Sequence, residues 1–412
     1  MITADEAVSS LATWFSGGGL PAMGAIAFDI GIGDAELTVK IDQNDVTFST
    51  HEPGSEFRFA VGAADWQRFV QEPPPRGYTT AQAMRAALGW ECVTGDRARW
   101  AEYAPVVDRI FEALRQARSP RPARHVDPPS PGTGLSPIEG RYLTVVIGGE
   151  SQRIYVESSG SGERTIVCLH TAGADSRQFR YLLEDEELTG RFRFVAFDMP
   201  WHGRSDPPPD WQERTYRLTT DRYAATVLAV VDALGLESPI LMGCSMGGAI
   251  ALYMACVQGE RFTAALALEG GLGNPGRFVP ETNHLEVDHS HFLTSWVGGL
   301  IAPSSPKATR AQTLWGYAQS GPGVYQGDTY FYSDDLPRVA PTLARATCPL
   351  WVFSGEYDYS ATTEMSRAAA QRLGGTLVEM PGSGHFPMSE DPAAFRRYLV
   401  PVLDELEATA AA

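Results

Sequence analysis

The turn Gly243-Cys244-Ser245-Met246-Gly247 constrains this chain more than any other five residues in it. It follows a short apolar run, Ile240-Leu241-Met242, that reads as a buried strand, and it leads into Gly248 to Cys256, which reads as a helix. A strand turning this sharply into a helix at G-x-S-x-G forces the central serine into a strained conformation with its hydroxyl above the sheet. Glycines flank the serine because a Cβ at those positions would collide with the neighbouring strand or helix.

The rest of the chain falls into two parts. A Pro-rich, unpatterned stretch from Arg118 to Gly134 reads as a semi-rigid linker, here bounded at 118–138. Beyond it, over 139–412, strand and helix patterns alternate, which predicts an α/β fold with a mainly parallel sheet. Strands read at Tyr142–Val146, Arg153–Val156, Thr165–Leu169, Arg193–Phe197, Pro239–Met242, Ala264–Leu268, Leu350–Phe353 and Thr376–Val378. The first two lie close together and alternate, so the sheet is expected to start antiparallel. Before the linker, over 1–117, an amphipathic helix from Ala4 to Phe15 precedes four segments of period-two alternation. These carry Ile26, Phe28 and Ile30, then Leu37, Val39 and Ile41, then Val46 and Phe48, then Phe57, Phe59 and Val61. They predict an antiparallel sheet with one buried face, followed by helices around Ala64–Val70, Thr80–Ala87 and Arg97–Arg115. A smaller α+β domain ahead of a larger α/β domain accords with a length of 412 residues.

Composition excludes several classes. There is no run of roughly 18 apolar residues, so no membrane span is expected. The start, Met1 to Ala7, is acidic and lacks the basic and apolar regions of a signal peptide. Five cysteines without paired spacing fit reduced thiols in a cytoplasm. A net charge of −17 argues against nucleic acid or anionic membranes as partners and serves solubility.

Ser245 is a weak nucleophile until a base takes its proton. His385, in the Gly-rich loop Pro381-Gly-Ser-Gly-His385-Phe-Pro just past the last strand, is the expected base. A third group must orient the imidazole and stabilise its cation. Asp358, in Phe353-Ser-Gly-Glu-Tyr-Asp358 after the seventh strand, is the first choice, and Glu269 at the end of the sixth is the alternative. Eight strands with the serine after the fifth make the stretch from about Tyr142 to Leu406 resemble the α/β-hydrolase family. The resemblance implies an oxyanion hole formed by the backbone N–H of Met246 and of Ala172, the latter in the loop Leu169-His170-Thr171-Ala172-Gly173. Thr171 stands where the family commonly has glycine, and a β-branched residue resists positive φ, so this loop is expected to depart from the family's path. His170 is read as a hydrogen-bonded structural histidine. Trp201, in Asp198-Met-Pro-Trp-His-Gly-Arg-Ser205, likewise takes a glycine position, and it packs over the loop or lines the substrate mouth. The sheet pattern lapses between about 271 and 345, where the family places a lid. Its Trp296, Trp315 and Tyr317, with Trp201, are the substrate-lining candidates, and the aromatic content suits a bulky apolar substrate.

The cluster His284, Asp288, His289 and His291 lacks the order of metallo-hydrolase ligands, so no metal is expected. No phosphate loop or dinucleotide fingerprint is present, so no cofactor is expected either. The first reading is a serine hydrolase that cleaves a carboxylic ester or lactone of a bulky apolar or aromatic small-molecule substrate through an acyl-enzyme. The alternative is a carbon–carbon hydrolase of ring-cleavage products, whose elbows resemble the G-x-S-M-G-G found here. Those enzymes hold a dienoate carboxylate with an arginine, and the sequence singles none out. The first 110 or so residues, with Ala64-Asp-Trp66 and Gly95-Asp96 opening helices, resemble a sterol-carrier-protein type of domain. That likeness implies either an apolar lipid tunnel or a filled core that supports or dimerises the enzyme, and it leaves a non-enzymatic lipid-binding protein as the remote alternative.

Overall fold

A computed structural model of the chain describes residues 2–15, 24–42, 45–118 and 134–411. Most of the expected linker, 119–133, lies outside the described residues. The chain forms two compact units, one of Met1–Arg124 with Asn283–Pro303, the other of His125–Thr282 with Ser304–Ala412.

The first unit holds a five-stranded sheet, β1 (Ile26–Ile32), β2 (Ala35–Asp42), β3 (Asp45–Thr50), β4 (Phe57–Val61) and β5 (Val93–Gly95), in the order β3-β2-β1-β4-β5. The alternating residues face one core, where Phe28 stacks on Phe57 at 4.7 Å and Phe59 meets Phe111 edge-on at 5.3 Å. The sheet is not wholly antiparallel as expected, because β4 pairs with β1 in parallel. Alternation identifies which face of a strand is buried and carries no information about direction. The three-residue β5 was too short to give a pattern. Helices run over Ala4–Phe15, Ala63–Phe69, Ala81–Leu88 and Arg97–Arg118, close to the expected positions. Asp96 opens the last of these by accepting the N–H of Ala98 and of Arg99.

In the second unit eight strands form one sheet: β6 (Glu139–Ile147), β7 (Glu150–Ser159), β8 (Arg164–Leu169), β9 (Phe192–Phe197), β10 (Ile240–Cys244), β11 (Ala264–Leu268), β12 (Leu350–Gly355) and β13 (Thr376–Met380). The order is β13-β12-β11-β10-β8-β9-β7-β6. β6 and β7 form the antiparallel start, joined at Gly148 and Gly149, and every neighbour pair from β9 to β13 is parallel. Central strands β10 and β11 are buried along their whole length, which is why they read as continuous apolar runs rather than alternating ones. Strand ends in such a sheet converge on one edge, and the loops there carry the site. The expected lid region is divided: Asn283–Pro303 belongs to the first unit, while the helices Lys307–Ala318 and Val324–Tyr330 belong to the second. Among the described residues no helix is long and apolar enough to cross a membrane. All five cysteines are unpaired and buried.

Candidate active site

The serine is where backbone strain concentrates. Four non-glycine residues among those described hold positive φ, and three of them are sequence-predicted site residues: Ser245 at 55°, Trp201 at 76° and Glu269 at 49°. Ser245 directly follows β10, with its N–H on the Leu268 carbonyl of β11 at 2.8 Å, and its own carbonyl accepts from Ala249 at 2.7 Å in the helix Met246–Val257. The glycines are required as expected. A Cβ on Gly243 would stand 2.1 Å from the Gly247 carbonyl oxygen, and one on Gly247 would stand 2.3 Å from that of Leu169 in β8.

His385 and Asp358 meet although 27 residues separate them, with His385 Nδ1 2.6 Å from Asp358 Oδ2. Both are buried, at 3% and 0% exposure. Asp358 Oδ1 accepts the N–H of Ser360 at 2.6 Å and of Ala361 at 3.1 Å, so two backbone donors and the imidazole fix the carboxyl in place. The histidine loop is clamped by a residue the sequence reading missed. Glu390 accepts the N–H of Gly384 at 2.6 Å and of Phe386 at 3.2 Å, one on each side of His385. An acid five residues after the histidine, in Phe386-Pro-Met-Ser-Glu390, does not by itself signal this role, because its burial and its donors appear only in the fold.

Glu269, the alternative acid, is also at the site. Its ligating atoms and those of Asp358 and His385 all lie within 4.8 Å of one another. Its two oxygens share the N–H of Gly355, at 2.7 and 2.9 Å, and the histidine nitrogen is held by Asp358. Burial, then the adjacent Asp358 charge, push the Glu269 carboxyl well above the usual carboxylate range, against the pull of the Gly355 bond. The raised pKa favours the protonated form of Glu269.

Both proposed oxyanion donors are buried, and among the described residues neither the Ala172 nor the Met246 N–H is taken by an acceptor in the chain. Buried N–H groups without an acceptor are rare in a folded protein, so these two are candidates for a ligand's oxygen. Thr171 avoids positive φ. The left-handed residue of this loop is Gly173, at 68°, so the threonine departure is absorbed two residues later. Thr171 is held by Gln178, whose Oε1 accepts its N–H and its hydroxyl, each at 3.1 Å. His170 is structural: Nδ1 lies 2.8 Å from the Thr171 carbonyl, and Nε2 accepts the Met199 N–H at 3.0 Å.

The four lining candidates scatter. Tyr317 is buried, hydrogen-bonded to the Thr171 hydroxyl, and packs on Phe386 beside His385 at 5.5 Å, so it borders the site. Trp201 takes the left-handed conformation that a glycine would hold there and leans on Tyr216 at 5.3 Å. Trp315 is 62% exposed and edges a surface cleft with Arg177, Arg180 and Tyr181. Trp296 belongs to the first unit, its ring buried under the Arg85 guanidinium at 4.8 Å. Arg277, unnoticed in the sequence, is buried with Nη2 on the Tyr325 hydroxyl at 2.9 Å.

Comparison with known proteins agrees with this architecture. Curated relatives include a 2-hydroxy-6-oxononadienedioate/2-hydroxy-6-oxononatrienedioate hydrolase of Paraburkholderia phymatum, 32% identical over 142 residues, which are 34% of this chain and 48% of that one. Another is the AB hydrolase superfamily protein YisY of Bacillus subtilis, 40% identical over 111 residues, 27% of this chain and 38% of the relative. The chain thus spans about half the length of the curated relatives it matches, or less. Among solved structures, the enol-lactonase of Burkholderia xenovorans superposes with a TM-score of 0.55 at 21% identity, covering 64% of this chain and 100% of its own. An esterase of Thermogutta terrifontis gives 0.56 at 17% identity, covering 65% and 99%. The model of the Alpha/beta hydrolase family matches residues 166–398, more than half of the sequence. The chain belongs to the alpha/beta hydrolase family.

Proposed function

We propose that this protein is a serine hydrolase that cleaves a carboxylic ester or lactone of a bulky apolar substrate through an acyl-enzyme. The observation that carries the reading is Ser245 held at positive φ at the end of β10, in a unit where His385 is buried on Asp358. In this reading the Ser245 hydroxyl oxygen attacks the carbonyl carbon as His385 Nε2 takes its proton. The carbonyl oxygen, now carrying the negative charge, is received by the N–H groups of Met246 and Ala172. Asp358 holds Nδ1 protonated and offsets the imidazolium charge. The tetrahedral intermediate collapses as His385 returns the proton to the departing alkoxide, leaving the acyl group on Ser245. Water, deprotonated by the same histidine, then attacks the acyl carbon and frees the serine. Tyr317 and Phe386 supply an aromatic wall, which suits an apolar acyl or alkoxy group. The first unit is read as a support, because aromatic rings already occupy the space between its sheet and helices.

Kinship with the 2-hydroxy-6-oxononadienedioate hydrolases, together with the buried Arg277 cation, favours a second reading as a carbon–carbon hydrolase of a dienoate. Nitrophenyl esters of increasing chain length, assayed beside a dienol ring-cleavage product, separate the two by which is turned over faster. Ser245→Ala should lower turnover by several orders of magnitude with the fold intact, and a fluorophosphonate should label the native protein at Ser245. Near-normal activity in that variant, or labelling elsewhere, would overturn the nucleophile assignment in either reading.

A further inference from the structure

A buried ion pair holds the loop that carries Ala172. Asp328, in the helix Val324–Tyr330, is fully buried, and its Oδ2 accepts the Gly173 N–H at 2.7 Å. The same oxygen lies 2.7 Å from His202 Nε2, and Oδ1 accepts the Tyr216 hydroxyl at 2.9 Å. His202 Nδ1 in turn lies 3.0 Å from the Pro200 carbonyl, which can only accept. Both ring nitrogens of His202 therefore face acceptors, and both must carry protons: the ring is an imidazolium. The neighbouring His170 ring, 4.9 Å away, is the opposite case, since its Nε2 accepts an N–H. Burial disfavours charge on both rings. For His202 the Asp328 carboxylate, helped by the Pro200 carbonyl and by Asp198, outweighs burial and raises the pKa, whereas for His170 burial and then the His202 charge lower it.

We infer that Asp328 is a positioning residue for the oxyanion hole, fixed in place by its pairing with His202; the inference rests on the serine-hydrolase reading. The Ala172 N–H lies between two fixed points, Thr171 tied to Gln178 and Gly173 tied to Asp328. With both neighbours clamped, the intervening peptide has little freedom to rotate its N–H. A bare carboxylate at this depth is costly to bury, and the imidazolium offsets that cost. The segment between β11 and β12 thus shapes the catalytic loop as well as contributing to the site wall. Gly173, His202 and Asp328 come from three loops or helices far apart in sequence, which is why no local motif announces them.

The test is kinetic and spectroscopic, on the full-length protein. Asp328→Asn releases Gly173 and strands the imidazolium. Because the oxyanion exists only in the transition state, kcat should fall by about 10- to 100-fold with KM within about threefold, a part of the ~10²–10³ that outright loss of a donor costs. Affinity for an alkyl boronic acid, whose tetrahedral adduct puts an oxygen in the hole, should weaken in step with kcat. Independently, ¹⁵N spectra of the histidine-labelled native protein at neutral pH should show one ring protonated at both nitrogens, and that signal should vanish in His202→Gln. A neutral His202 in the native protein overturns the inference whether or not the variants fold. So does an Asp328→Asn whose loss falls on KM while kcat and boronate affinity hold. Absence of any Ser245-dependent turnover in the native protein would instead remove the hydrolase reading, and the positioning role with it, while the doubly protonated ring remained in the spectrum.

Discussion

Two carboxyl groups stand beside one imidazole, and their surroundings divide the labour. Asp358 takes the His385 Nδ1 and two backbone N–H groups, whereas Glu269 takes the Gly355 N–H, and burial followed by the adjacent Asp358 raises the Glu269 pKa and favours its protonated form. Asp358→Asn should therefore lower kcat by up to about 10⁴-fold, because the wrong histidine tautomer loses the base. Glu269→Gln, which substitutes one neutral group for another, should cost less than about tenfold. A reversed ranking in kcat would move the acid to the end of β11. Stability gives a second check on the same pair. A carboxyl whose folded pKa is raised stabilises the fold fully below the unfolded value near 4.3, and that contribution is lost as pH rises towards the folded value. The loss is ~1.4 kcal/mol per pH unit over that window. Glu269→Gln removes the titration, so its melting temperature should exceed that of the native protein by a margin that widens from about pH 4.5 upward. A margin independent of pH would mean that Glu269 is charged in the fold. The candidates Ser245, His385 and Asp358 stand out in the sequence because each follows a strand end in a glycine-containing turn. Asp328 and Glu390 do not, because a buried acid is recognisable only through its donors, and those of Asp328 lie as far as 155 residues away.

At the scale of elements, the eight strands of the large sheet were legible because buried parallel strands leave uninterrupted apolar runs between helical patterns. The three-residue β5 and the parallel pairing of β4 were not, since neither length nor direction is encoded by alternation. The elbow is the element whose geometry has least tolerance. Gly247→Ala would put a methyl 2.3 Å from the Leu169 carbonyl, and a strand backbone at the centre of the sheet cannot give way. The helix must lift instead, and the change should destabilise the protein by about 1–3 kcal/mol while also disturbing the Thr171–Gly173 loop that Leu169 leads into. The control is Gly316→Ala in the helix Lys307–Ala318, where an added Cβ meets nothing within 4 Å. That substitution should stabilise by about 0.5–1 kcal/mol through helix propensity alone. Chemical denaturation of the two variants should displace the midpoint in opposite directions; equal displacement would show that crowding at Gly247 is relieved elsewhere.

For the whole molecule, the sequence suggested a domain that ends near residue 117 and folds by itself. The chain instead returns to the first unit with Asn283–Pro303. Within that unit the helix His289–Gly298 lies along Arg97–Arg118, with Phe292 edge-on to Trp100 at 6.2 Å, Ser295 hydrogen-bonded to Asp108, and the Thr79 hydroxyl on the Gly299 carbonyl at 2.7 Å. Phe292, Trp296 and Trp100 are each almost completely buried, and exposing such a side chain costs roughly 1.5–3 kcal/mol. A fragment ending at Ala117 would leave the surface around Trp100 bare. Limited proteolysis within 119–133, where the proline-rich composition invites nicking, should therefore cut the chain without parting it. The two pieces should co-elute on gel filtration under native conditions and separate only in denaturant. Trp100→Ala with Phe292→Ala should lower the denaturant needed for separation while leaving the cleavage site unchanged. Pieces that part freely after a single cut would show that the returning segment contributes too little to hold them, and that the amino-terminal 117 residues stand as an independent domain after all.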